Sequence, residues 1–385
     1  MTEPADFKEA RKKRHRKTTL RRTRKLLFVL LILAALALLI FAARYFGWGS
    51  HFGNLFSSLS GGGAGFPVEL EQSEDTELIG VKGGAAVSQS GSVTVYNKKG
   101  EPVGVFPNSY TSPHTLYNGG RLLTFDLGGS DWQITSNTKV LHTEEGTGAI
   151  TAAALGTRGE AAVARRSPTA LAEVKVYSPR FEVMYIWQST ESYPTALAVS
   201  HDGQSLAAGG IASSGGALSS VVTVHDMTGR REIVSHTLPD SIVLSMTWTR
   251  KGNLQVVTDR ALLLYNEAGE LLKEVPLPEA PAAVENCPEG GCYIALGDYR
   301  LAGGTRVTAY DSEVNVTGET AVHRRVLSLC YSDRRLYILA EGQLLLGDAS
   351  LSEVKEREHG ALRQIAPAGR TYYALTEAGL VRQKL

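Results

Sequence analysis

From Phe66 to the C-terminus, apolar and polar positions alternate over short runs, and helical spacing is almost absent. Val, Leu, Thr and Tyr dominate the runs, while Gly, Asn and Asp interrupt them. That is the composition of half-buried strands joined by tight turns. One five-residue pattern recurs: VTVYN (93–97), VKVYS (174–178), VTVHD (222–226), LLLYN (262–266), VTAYD (307–311) and LLLGD (344–348). A degenerate copy, QITSN, occupies 133–137. In each, a small polar residue ends the apolar alternation and opens a turn, and a further strand usually follows. The markers Asn97, Asn137, Ser178, Asp226, Asn266, Asp311 and Asp348 are spaced by 40, 41, 48, 40, 45 and 37 residues. A period of roughly 40–45 residues made of four short strands predicts the blades of a β-propeller.

The clearest unit is ALAVSHDGQSLAAGG (196–210) followed by VVTVHDMTGRREIVS, two hairpins in succession. Innermost strands are expected to start near Leu78, Thr115, Ile150, Thr195, Val243, Ala282, Val326 and Leu362. The last copy supplies only three strands, and FPVELEQ (66–72) is a spare outer strand ahead of the first. Pairing the two would close the ring and leave no free sheet edge. The expected fold is therefore all-β: an eight-bladed β-propeller over 66–385, or a seven-bladed one if the weak second copy is no blade.

The N-terminal part reads differently. Leu26–Ala43 is 18 residues without a polar side chain, which as a helix spans roughly 27 Å, close to the hydrocarbon thickness of a bilayer. Arg44 can snorkel outward, and Tyr45, Phe46 and Trp48 supply an interfacial belt. A cleaved signal peptide has a shorter apolar core and a small-residue cleavage site, so residues 26–48 are read as one uncleaved transmembrane signal anchor. Residues 49–65 form a juxtamembrane linker, with Phe52, Leu55, Phe56 and Leu59 at helical spacing before a Gly-rich tether.

Charge sets the orientation. The 385 residues carry 40 Lys/Arg and 39 Asp/Glu, a formal net charge of +1. Eleven of the basic residues, against three acids, fall in residues 1–25, so that tail is +8 and the remainder −7. The positive-inside rule places the tail in the cytoplasm and the propeller outside the cell membrane. Attraction to anionic headgroups accounts for the basic run without nucleic acid. A content of 43% hydrophobic and 21% charged residues excludes wholesale disorder, and three Cys exclude a disulfide-built miniprotein.

With these residues in view, the unit around 196–236 closely resembles a WD-repeat or quinoprotein-like blade, with His225-Asp226 where the former carries Trp-Asp. The whole arrangement of basic tail, anchor, tether and propeller resembles an uncharacterised family of bacterial single-pass, membrane-anchored β-propeller proteins of unknown function. The resemblance covers nearly the entire chain and implies a fold. Its motifs are structural, so it carries over no catalytic residue.

Chemistry is sparse. No HExxH, GxxxxGK or GxSxG motif occurs, and SHDGQSL (200–206) lacks the Trp and the spacing of a sialidase Asp-box. Vicinal cysteines and repeated Trp motifs that would hold a quinone are absent, so no cofactor is expected. His142, His201, His225, His236 and His323 are scattered without a ligand pair at close spacing, and no metal site is expected. Asp202, Asp226, Asp298 and Asp311 read as turn residues capping backbone N–H groups. Cys287 and Cys292 flank PEGG; on two successive strands their thiols would face each other, a possible disulfide outside the cytoplasm, with two reduced thiols the alternative. Cys330 reads as an inert core residue.

Loop length carries the functional signal. Long segments at 165–173, 209–220 and 297–305 would emerge on the same propeller face as the inter-blade segment 107–114. Tyr110, Arg165, Arg166, Tyr299 and Arg300 supply the Tyr/Arg chemistry enriched at interfaces and are the binding-face candidates. The leading expectation is a non-enzymatic binding or scaffold module for a protein or envelope-polymer partner. The alternative is an extracytoplasmic hydrolase or lyase with its site at the channel mouth.

Overall fold

The repeat folds as a succession of antiparallel hairpins. The protein is described by a computed structural model covering residues 65–384, apart from 215, 299, 301–303 and 358–360. The basic tail, the anchor expected at 26–48 and nearly all of the linker lie outside the described residues.

Strands are numbered β1–β31 along the chain, four to each of the first seven blades and three in the last. The innermost strands are β1 (Glu77–Val81), β5 (Pro113–Asn118), β9 (Ile150–Leu155), β13 (Tyr193–Val199), β17 (Val243–Trp248), β21 (Ala283–Asn286), β25 (Val326–Ser332) and β29 (Leu362–Ala368). None starts more than two residues from its expected position. Seven sheets are four-stranded meanders in sequence order, and the eighth holds β29, β30 (Thr371–Thr376) and β31 (Gly379–Lys384). Each innermost strand packs beside the next, and β29 packs beside β1, so the protein is an eight-bladed β-propeller. The seven-bladed alternative falls because the weak second copy is a complete blade. Its third strand, β7 (Trp132–Thr135), is short, and its turn is opened by Ser136 rather than Asn137: the Ser136 hydroxyl accepts from the N–H groups of Thr138 and Lys139.

Ahead of β1, Val68 exchanges both backbone hydrogen bonds with Leu380 of β31, each 2.8 Å. The contact is a single bridge rather than a full strand. It is reinforced by Gln72 Nε2, which donates to the Thr376 carbonyl at 2.6 Å. Phe66, Val68 and Leu70 pack against Tyr373, Leu375 and Leu380 beside it.

The middle strands are apolar on both faces because each blade is sandwiched by two neighbours; β18 (Leu254–Thr258) and β19 (Ala261–Tyr265) are buried throughout. The buried residues form eight clusters, and each lies between two blades rather than within one. Trp132 and Ile134 of blade 2, for example, pack with Ile150 and Val163 of blade 3. Tyr337 and Leu344 of blade 7 pack with Ile365 and Tyr372 of blade 8, and the cluster holding Val68 joins blades 8 and 1.

The recurring polar markers cap the turns they open. Asp226 Oδ1 accepts from the N–H groups of Thr228 and Gly229, and Asp311 Oδ1 from those of Glu313 and Asn315. Asp202 and Asp298 do the same for Gln204 and Arg300. Four charge-assisted acceptors thus rigidify the loops and are committed to backbone. The segment 209–220 departs from expectation. It is a long hairpin, not a loop, with β14 (Ser205–Ser214) and β15 (Ala217–Asp226) paired as far as Ser214 and Ala217.

Candidate functional site: the two mouths of the channel

Antiparallel meanders give the propeller two unlike faces. The upper face carries the connections between blades and the loops between second and third strands. The lower face carries the remaining turns.

At the upper mouth, the innermost strands of blades 3, 4, 5, 7 and 8 each contain a β-bulge at their second or third residue, setting Thr151, Thr195, Leu244, Leu327 and Arg363 outside the regular register. A bulge leaves one residue unpaired and re-aims its side chain. Two of these five are large apolar residues left in water, Leu244 at 43% and Leu327 at 44% exposure, and Tyr193 at the start of β13 is 41% exposed. Sequence reasoning missed all three. The only hint was Leu at positions where the alternation called for an outward polar residue.

The lower mouth opens into a cavity of about 400 Å³ crossing five blades, with Leu116, Ala153, Leu197, Val199 and Met246 on its wall and Asn118, His201 and Asn286 among its polar groups. His201 Nε2 lies 2.9 Å from the Trp248 carbonyl oxygen and is thereby committed. No carboxylate lines the cavity. Among the described residues, no three His, Cys, Asp or Glu side chains converge as a metal ion would require. Deeper in the ring, burial pushes the Glu285 carboxyl up to about 7, yet its Oε1 accepts from the Tyr331 N–H at 2.8 Å. Glu77 accepts likewise from Thr115 N–H and Gln364 from Leu78 N–H. Glu285 is thus one of several struts tying an innermost strand to the next blade.

The binding-face candidates from sequence are dispersed. Tyr110 is buried, and burial together with the nearby Asp131 and Asp126 holds its hydroxyl far above the usual phenol range. Arg165 is also buried: its Nη2 lies 3.3 Å from Glu144 Oε1, which also accepts from the Tyr177 hydroxyl at 2.8 Å. Arg166, the next residue, faces outward with its guanidinium 5.9 Å from the Tyr193 ring centroid. Arg300, three blades further round, is fastened to Asp298 within its own loop at 2.6 Å, which holds the Asp298 carboxyl down at about 2. Tyr299 lies outside the described residues. Among the described candidates, Arg166 is the one in contact with an exposed residue of the upper mouth, Tyr193.

The cysteines are separate free thiols. Register pairs Asn286, not Cys287, with Cys292, so period-2 alternation turns the two side chains to opposite faces of blade 6. Cys287 packs towards blade 7 with Tyr293 and Ala295, and Cys292 towards blade 5 with Ile294 and Leu296. Burial pushes the Cys287 and Cys330 thiols up to about 12 and Cys292 higher still. Their thiolates are scarce at neutral pH.

A family profile described as a family of unknown function, DUF5711, matches residues 66–378, nearly the whole propeller. The chain belongs to the DUF5711 family. No curated protein matches this DUF5711 member. Among solved structures it is similar to Sqt1 of Saccharomyces cerevisiae, at 11% identity and TM-score 0.58 over 82% of this chain and 98% of that one. BamB from Moraxella catarrhalis is similar at 10% identity and TM-score 0.52, over the same shares. At such identities the likeness is one of fold alone.

Proposed function

We propose that this DUF5711 protein is a binding or scaffold module, held at the outer side of the cell membrane by residues 26–48, that presents the upper mouth of its propeller to a protein or envelope-polymer partner. The observation that carries the reading is the exposure of Tyr193, Leu244 and Leu327 at that mouth, two of them held out of register by bulges. Large apolar side chains kept in water on a rigid scaffold mark interaction surfaces more often than they mark catalysis. The +8 tail followed by an 18-residue apolar run supports the tether and its orientation.

A photo-reactive amino acid placed at Leu244 or Leu327 of the full chain in native membranes tests the reading, with Val105 on an outer strand as control. Discrete adducts at the two Leu positions, absent at Val105 and lost in a Leu244→Glu/Leu327→Glu background, are expected. Adducts no richer at the mouth than at Val105 would overturn it.

A further inference from the structure

A second recess lies away from both mouths, on the flank of the ring between blades 3 and 4. It is a cleft of about 220 Å³. One wall is Trp187, on the outer strand β12 (Val183–Ser189) of blade 3; the other is Glu232 and Ser235 of β16 (Arg231–Pro239), the outer strand of blade 4. Thr223 of β15 floors it, and the connection 190–192 closes its upper end with Glu191. That connection is pinned: Ser189 and Ser192 are buried, and the Ser189 hydroxyl donates to the Ser192 carbonyl at 2.7 Å.

Blade 4 breaks the internal repeat at this place. In the other four-stranded blades the outer residue at this position is apolar, facing Tyr in Tyr177 with Val183, Tyr265 with Leu271 and Tyr310 with Val316, and Thr or Gly in Thr135 with Val140 and Gly347 with Val354, whereas blade 4 sets Glu232 there, opposite His225. A local departure from an otherwise consistent pattern is where function is expected to intrude. His225 is fully buried, its ring 4.4 Å from that of Trp187, and burial holds it down at about 4, so it brings no positive charge to the cleft floor. No Lys, Arg or His lines the cleft. Burial, and then the nearby Glu191 carboxylate, push the Glu232 carboxyl upward, so the two acids stand close enough to feel each other.

We infer that the cleft binds an organic ammonium group, with its alkyl stem against the Trp187 indole and its charged end between Glu191 and Glu232. An indole face and two carboxylates are the groups that recognise such a cation, and the Ser235 hydroxyl can accept one of its remaining protons, while the Thr223 hydroxyl is engaged with the His225 ring at 2.9 Å. The volume admits a butyl-length chain. Both a free amine and a lysine side chain of a partner satisfy that chemistry. The site is independent of the upper mouth, so either can fail without the other.

The test uses the full chain labelled with 5-fluorotryptophan, one fluorine resonance per Trp, with Trp187→Phe assigning the cleft signal. Trp132 and Trp248 are buried at 0% and 3% exposure and serve as internal reporters of the fold. Butylammonium should move the Trp187 resonance saturably, with half-saturation of about 1 mM, and leave Trp132 and Trp248 in place. Glu191→Gln with Glu232→Gln should weaken it about tenfold or more, and 1-butanol should produce no saturable shift. If the double variant perturbs the buried Trp signals, Glu191→Gln alone, in an exposed connection, carries the test. A response to butanol equal to that of butylammonium, an unaltered midpoint in the variants, or no saturation below about 100 mM would overturn the inference. N-acetyl-lysine methylamide distinguishes the sources: tighter binding than butylammonium assigns the cleft to a partner's lysine, and weaker or equal binding to a free amine, each on the same chemistry.

Discussion

The bridge between Val68 and Leu380 can be broken by one methyl group. Gly379, at the start of β31, has φ +113°, and a Cβ there would run into the Val68 carbonyl oxygen. Gly379→Ala therefore combines backbone strain of about 2 kcal/mol with loss of two backbone hydrogen bonds at about 1 kcal/mol each. Displacing the part-buried Val68 side chain adds about 1 kcal/mol, for a total near 5 kcal/mol. Gly369, in the turn before β30, provides the control. Its φ is +63°, and a Cβ there meets nothing within 4 Å, so Gly369→Ala should cost only about 1 kcal/mol. Urea unfolding followed by fluorescence measures the difference, expected at about 4 kcal/mol. Hydrogen exchange locates it: the Val68 and Leu380 amides should lose protection in Gly379→Ala and keep it in Gly369→Ala. Equal unfolding midpoints for the two variants, or a Val68 amide still protected in Gly379→Ala, would refute the idea that this bridge holds blade 8 to blade 1.

Further outcomes follow from the buried polar groups. In the native protein at pH 8 a thiol reagent should label none of the three cysteines within minutes, and all three should titrate after unfolding under non-reducing conditions; recovery of only one would show Cys287 and Cys292 joined after all. His225 has its pKa lowered to about 4 by burial, so the unfolded chain binds its proton first; stability should be intact above about pH 6.5 and fall as pH drops towards 4, by up to about 3 kcal/mol. His225→Gln should flatten that loss, as seen in unfolding midpoints across the range. Glu285 acts in the opposite sense: its carboxyl is raised to about 7, so its penalty grows as pH rises through 7. Glu285→Gln, which keeps an acceptor for the Tyr331 N–H, should raise stability at pH 8 by up to about 3 kcal/mol and change little near pH 4; an unchanged midpoint at pH 8 would count against the buried strut. Arg165→Ala should destabilise by about 2–3 kcal/mol, because it strands Glu144 in a part-buried site, whereas Arg166→Ala should shift thermal stability by less than about 0.5 kcal/mol.

The blades were legible because each repeats the same alternation and the same capped turn, and a residue such as Asp311 plays its role without help from distant parts of the chain. What escaped was set by offsets of a single residue. Cys287 and Cys292 seemed to face each other, yet register opposes Asn286 to Cys292 and turns the thiols apart. Arg165 and Arg166 are neighbours of identical chemistry; alternation requires one to point inward, but only the packing of Glu144 and Tyr177 decides which. The bulges that expose Leu244 and Leu327 are breaks in strand register within blades 5 and 7, and the local pattern hints at them only through an outward Leu. The cleft beside Trp187 escaped for a similar reason: its walls come from different blades, with Trp187 and Glu232 45 positions apart.

That every buried cluster lies between blades, with one of them joining the last blade to the first, has a consequence for how the molecule comes apart. In an open stack of repeats the end units have one neighbour each and melt first. A closed ring has no end unit, so removing any blade breaks two interfaces at once, and opening is resisted until the whole circuit yields. Cooperativity here is a property of the closure itself. A protein so built should lose its blades together, except where its seam has been cut; then it should begin to fray from blades 1 and 8, like any linear array.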